Sequence, residues 1–207
     1  MIRSLFVLGA LCAAVFLGAG TGASATVIDD WSKITAPTPP PLQAVKVDAS
    51  TTALLVLDWV KPICTTAPCQ AALPTVAKAL QAARAAKAYV VYSLGANATR
   101  ADILPPVAPV ADEPTVSSGP DKYVGTDLEQ ILKAKGIKTV IIAGFAAEGA
   151  AMYTASHSAF IGLKVVVPVD AIASNFPYAM QYVTWNLVNA PRLGPNVTLT
   201  TTDRISY

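Results

Sequence analysis

Short apolar runs separated by helix-length segments constrain this chain more than any single residue does. Thr52 to Asp58, Tyr89 to Leu94, Lys138 to Ala143 and Leu163 to Val169 are rich in Val, Ile and Leu and have the length of buried strands. Between them lie Ala-rich or amphipathic stretches over 71–87, 126–135 and 147–161, and a last helix over 178–188 precedes a strand over 196–201. Strands that are apolar on both faces and joined by helices form right-handed β-α-β units around a parallel sheet. The pattern predicts an α/β fold, a three-layer αβα sandwich with a mostly parallel, Rossmann-like sheet. A further strand over Leu42 to Val47 fits the same frame.

The ends of the chain refine this organisation. Arg3 precedes an apolar run from Leu5 to Leu17, and Ala23-Ser24-Ala25 has the small-residue form that a signal peptidase accepts. The run is about 13 residues, short of the roughly 20 that span a bilayer, so residues 1–25 read as a cleaved leader rather than a membrane anchor. Residues 26–50, with Pro37, Pro39, Pro40 and Pro41, read as an extended tether. Residues 51–207 form the folded domain. A secreted or periplasmic location follows.

The chain carries 14% charged residues and a formal charge of +2. That balance argues against a nucleic-acid or anionic-membrane partner. Beyond the leader the cysteines are Cys64 and Cys69. In an oxidising compartment two nearby thiols pair, and a disulfide is the favoured reading. Zinc is the alternative, but two cysteines without a nearby histidine supply at most half of a tetrahedral site.

In parallel sheets ligands bind outside the carboxyl ends of the strands. Asp58, the stretch Gly144 to Gly149 and Asp170 fall at such ends. The Pro-rich segment from Gly95 to Pro120 has the length of a lid. The candidate chemistry therefore gathers on one rim.

Three segments then resemble the isochorismatase-like (cysteine hydrolase) superfamily: Thr52-Ala53-Leu54-Leu55-Val56-Leu57-Asp58, Lys122-Tyr123-Val124-Gly125-Thr126-Asp127-Leu128, and Ala143-Gly144 through Ala155 followed by Gly162 to Ala171. The resemblance implies an Asp–Lys–Cys catalytic set, and it places Asp58, Lys122 and Ala150 at those positions. Ala150 cannot supply a thiolate. The resemblance also implies that Trp59, Tyr123, Phe145, Ala146, Glu148 and Gly149 line a small-molecule site, that no cofactor is needed, and that the chain forms homo-oligomers.

Departures from the family pattern narrow the function. Val60 replaces a frequent glutamine, and the sequence holds one histidine, His157, inside a helix, which disfavours the metal-binding amidase branch. Isochorismatases proper have glycine at the nucleophile position and use the aspartate as a general acid, so a missing thiol is compatible with turnover. Their substrate-binding tyrosine and glutamine correspond to Ala146 and Gly95, which disfavours isochorismate itself. Each residue also has a plainer role: Asp58 as a turn cap, Lys122 as a solvated cation, Glu148 as a carboxylate suited to a helix N-terminus, and Trp59, Tyr123 and Phe145 as core. Two functions result: a Cys-independent hydrolase acting through Asp58 and Lys122, or a catalytically inactive binding protein on the same fold.

Overall fold

The computed structural model describes residues 26–95 and 97–207 and divides the chain into two compact units, Met1–Pro37 and Thr38–Tyr207. In the first, the described part holds a 3₁₀ turn at Trp31–Lys33, with Lys33 bound to Asp30 at 2.8 Å. The expected leader, 1–25, lies outside the described residues.

The larger unit is built on β1 (Val45–Lys46), β2 (Thr52–Leu57), β3 (Tyr89–Leu94), β4 (Thr115–Ser117), β5 (Thr139–Phe145), β6 (Lys164–Pro168), β7 (Ile172–Ala173), β8 (Val197–Thr200) and β9 (Ile205–Ser206). Its helices are α1 (Ala67–Ala85), α2 (Leu128–Ala134), α3 (Met152–Phe160) and α4 (Pro177–Asn189). The main sheet has seven strands in the order β4-β3-β2-β5-β6-β8, with β7 added on β5, and every pairing is parallel. The expected α/β sandwich is the fold.

Alternation along the strands explains the layers. Ala53, Leu55, Leu57, Val140 and Ile142 point into a cluster closed by α2, α3 and α4, through Leu128, Leu132, Ala155, Val183 and Leu187. Leu54, Val56, Ile141 and Ala143 point the other way, onto Leu73, Val76 and Leu80 of α1. The central strands β2 and β5 are covered on both faces, which is why their sequences are apolar without alternation.

The compact unit begins ahead of residue 51. Val45 pairs with Ile205 and Lys46 with Ser206 in a separate two-stranded sheet, so the segment from Thr38 belongs to the fold rather than to a tether. The 95–120 segment likewise is not an unstructured lid. Arg84 grips Glu113 through two hydrogen bonds at 2.7 and 2.8 Å, Arg100 binds the Glu113 carbonyl at 2.7 Å, and Ile103 bridges Val60. Among the described residues no helix is long and apolar enough to cross a membrane.

Candidate active site

Parallel pairing sets the site's position before any side chain is considered. Leu57 lies opposite both Ser93 on β3 and Gly144 on β5, so the carboxyl ends of three adjacent strands finish level. At the first of these ends, Asp58 takes a left-handed backbone conformation (φ 60°), which aspartate tolerates better than most residues. Its amide donates to the Ser93 carbonyl at 3.3 Å, and beyond it the Trp59 carbonyl accepts from Leu104.

Lys122 reaches Asp58 from the loop between β4 and α2. Its ammonium is 2.7 Å from Asp58 Oδ2 and 3.2 Å from the Ser118 carbonyl. The Ser93 hydroxyl donates to the other carboxylate oxygen, Oδ1, at 2.7 Å. Lys122 is 0% exposed, Ser93 1% and Asp58 6%. Burial raises the Asp58 carboxyl above its ordinary range, and Lys122 and Ser93 oppose that shift by stabilising the charge.

The loop that delivers Lys122 is tightly built. Ser118 donates to the carbonyls of Asp121 and Val124, Thr126 donates to the Lys122 carbonyl at 2.5 Å, and Gly125 sits at φ +69°, where a side chain is strained. One face of α3 then holds the loop in place. Thr154 accepts from the Lys122 amide at 3.3 Å, His157 Nδ1 lies 2.8 Å from Asp121 Oδ2, and Ser158 and Tyr123 share a hydrogen bond of 2.8 Å. These residues are spaced i, i+3, i+4, as one helix face requires. The His157 ring also stacks on Tyr123 at 4.3 Å, and burial pushes the Tyr123 phenol up to about 12, keeping it a neutral hydrogen-bonding group.

The third strand end carries the turn that contains Ala150. After Gly144, the Phe145–Ala146 peptide is cis, and residues Ala147–Ala151 form a single wide helical turn broken at Gly149 before α3 begins. Gly144 makes this approach possible: a Cβ there would lie 3.1 Å from Leu57 Cβ and 3.3 Å from Ala151 Cβ. Ala150 is buried in the cluster that includes Leu57 and Tyr123. Glu148 stands on the same turn, and its Oε2 is the buried side-chain polar atom without a hydrogen-bond partner among the described residues.

Of the residues that the sequence singles out, Asp58 and Lys122 come into direct contact, so the plainer readings of a turn cap and a solvated cation do not describe them. Trp59 and Phe145 pack at 6.3 Å on the α1 side of the sheet, where the Trp59 indole donates to the Ala143 carbonyl at 3.1 Å. Tyr123 is on the opposite side. Asp170 accepts from the amide and hydroxyl of Thr202, a structural role. Cys64, just before α1, and Cys69, in its first turn, form a disulfide. No group of three or more His, Cys, Asp or Glu among the described residues is arranged to hold a metal. Sequence reasoning missed Ser93, whose signal was a lone hydroxyl at the carboxyl end of a buried strand. It also missed the role of His157.

An isochorismatase domain matches residues 52–203, which contain all three strand ends. The chain belongs to the isochorismatase family. Solved structures agree at the level of the fold. An isochorismatase family protein from Burkholderia thailandensis is 19% identical with a TM-score of 0.63, covering 81% of this chain and 97% of that one. An N-carbamoylsarcosine amidase from Thermoplasma acidophilum is 20% identical, with a TM-score of 0.63 and coverage of 74% and 97%. A nicotinamidase from Staphylococcus aureus is 17% identical, with a TM-score of 0.66 and coverage of 73% and 99%. No curated protein matches the sequence.

Proposed function

We propose that this isochorismatase-family protein is an exported hydrolase that works without a cysteine nucleophile, with Ala150 standing at the nucleophile position. The observation that carries the reading is the buried Asp58–Lys122 pair at 2.7 Å, at the level carboxyl ends of three parallel strands. Asp58 acts as the acid–base group. It takes a proton from a water molecule as the water oxygen bonds to an electrophilic carbon, and it returns that proton to the leaving group as the old bond breaks. Lys122 keeps a positive charge against Asp58 throughout and stabilises the negative charge that develops.

The substrate is a small molecule with a hydrolysable C–N or C–O bond, as the amidases among the similar structures suggest. Glu148 supplies its orphaned acceptor to an N–H or O–H of that molecule, since a buried carboxylate oxygen without a donor is costly and a ligand donor would satisfy it. Ala146 and Gly149 are partly exposed on the same turn and serve as contacts, while Trp59, Phe145 and Tyr123 support the site from the core. The Cys64–Cys69 disulfide favours an oxidising location, reached through the leader.

A second reading, a binding protein without turnover, is favoured by one observation: both Asp58 oxygens already accept a hydrogen bond. Ala150→Cys separates the two. In a site organised for chemistry, the new thiol stands near Lys122 and its pKa falls below the free value of about 8.5. It should then alkylate with iodoacetamide near neutral pH faster than a free thiol. Alkylation at the rate of an ordinary exposed cysteine would favour the binding protein.

A further inference from the structure

The two groups bound to Asp58 differ in what a proton can do between them. Lys122 presents an ammonium, which only donates. Ser93 presents a hydroxyl, which donates to a carboxylate and accepts from a carboxylic acid by turning about its C–O bond. The hydroxyl lies 2.7 Å from Asp58 Oδ1 and is 1% exposed. Parallel register fixes it there, because Ser93 pairs with Leu57, the residue immediately before Asp58. A second tie runs through the backbone, from the Asp58 amide to the Ser93 carbonyl. Residue 93 therefore holds Asp58 by both main chain and side chain. The neighbours Tyr92 and Leu94 are apolar or largely so and pack on the other face, so the serine is not explained by the strand's own burial.

We propose that Ser93 is a positioning residue for Asp58, a reversible hydrogen-bond partner that keeps the carboxyl group in one plane while it gains and loses a proton. With Asp58 ionised, the Ser93 hydroxyl donates to Oδ1. When Oδ1 carries the proton, the hydroxyl accepts, and the heavy atoms stay where they are. Without Ser93, Oδ1 has no donor among the described residues, and among them the carboxylate rests on Lys122 alone. Among the described residues, the charge that faces Asp58 is that of Lys122, whose contact with Oδ2 a change at position 93 leaves in place. This inference rests on the proposed acid–base role of Asp58, and its test needs no substrate.

The test is the titration of the Asp58 side-chain carboxyl, followed by NMR in protein labelled with ¹³C at the aspartate carboxyl carbon, with the resonance assigned by its loss in Asp58→Asn. Ser93→Ala removes a partner from both forms, but the bond to the charged carboxylate is the stronger of the two, so its midpoint should rise by about one pH unit. Ser93→Thr keeps the hydroxyl and should return the midpoint to the wild-type value, which a purely packing role for Ser93 would not produce. If Ser93→Ala does not fold, Ser93→Cys takes its place. A thiol is a weaker donor on a side chain of similar shape, and its midpoint should also rise. A midpoint that is unchanged or lowered in Ser93→Ala, or in Ser93→Cys where that variant is used, would overturn the inference. Failure of the acid–base reading is distinguishable: Asp58→Asn would then hydrolyse substrate as wild type does, whatever Ser93 does to the titration.

Discussion

Lys122 carries its charge into a fully buried site, and Asp58 is its counter-ion there. Removing either partner leaves the other charged and unpaired, which costs more than removing both. Lys122→Met should destabilise the folded state by about 3–5 kcal/mol near neutral pH, where Asp58 is left charged and unpaired, and Asp58→Asn/Lys122→Met should recover a large part of that loss. The same urea series, run across pH, tests the sign of the Asp58 shift. Its folded-state pKa is raised above the ordinary 3.8, so the folded protein holds this proton more tightly than the unfolded chain does. The stability that results is complete below 3.8 and is lost as pH rises through the folded value. The difference in unfolding free energy between wild type and the double variant should therefore shift against wild type through that window, and a difference independent of pH would contradict the shift.

At the scale of elements, the site depends on how closely the turn after β5 sits on the end of β2. Gly144 sets that distance, because a methyl group there meets Leu57 and Ala151 at 3.1 and 3.3 Å. Gly144→Ala should cost about 1–3 kcal/mol, read as a lower urea midpoint, and an unchanged midpoint would show that the turn yields freely. This turn also marks where sequence patterning stopped. The Ala-rich stretch 147–161 has the composition of one helix, yet Gly149 adopts a non-helical conformation and regular α-helix starts only at Met152. The long strands were legible because burial on both faces leaves continuous apolar runs. The two-residue strands β7 and β9 were not, since two residues carry no period. Asp58 and Lys122 were legible through their motifs. Ser93, Thr154 and Ser158 were not, because a hydroxyl in an apolar segment declares its partner only once the strands and α3 are packed.

For the whole molecule, the proposed route is export, removal of the leader after Ala25, and oxidation of Cys64 with Cys69. Intact mass of the unreduced, alkylated exported protein should correspond to a chain that begins at Thr26 with both thiols blocked. Two alkylated cysteines would contradict the disulfide, and an uncleaved N-terminus would contradict the leader. The central claim is that Asp58 and Lys122 perform hydrolysis where no thiol stands at position 150. Its most direct measurement is kcat/KM over a panel of small amides, esters and vinyl ethers, for wild type, Asp58→Asn and Asp58→Asn/Lys122→Met, each confirmed folded. Wild type should hydrolyse at least one member, and both variants should lose that activity by about 10²-fold or more. A wild-type protein inert across the panel, or an Asp58→Asn variant as active as wild type, would contradict the account.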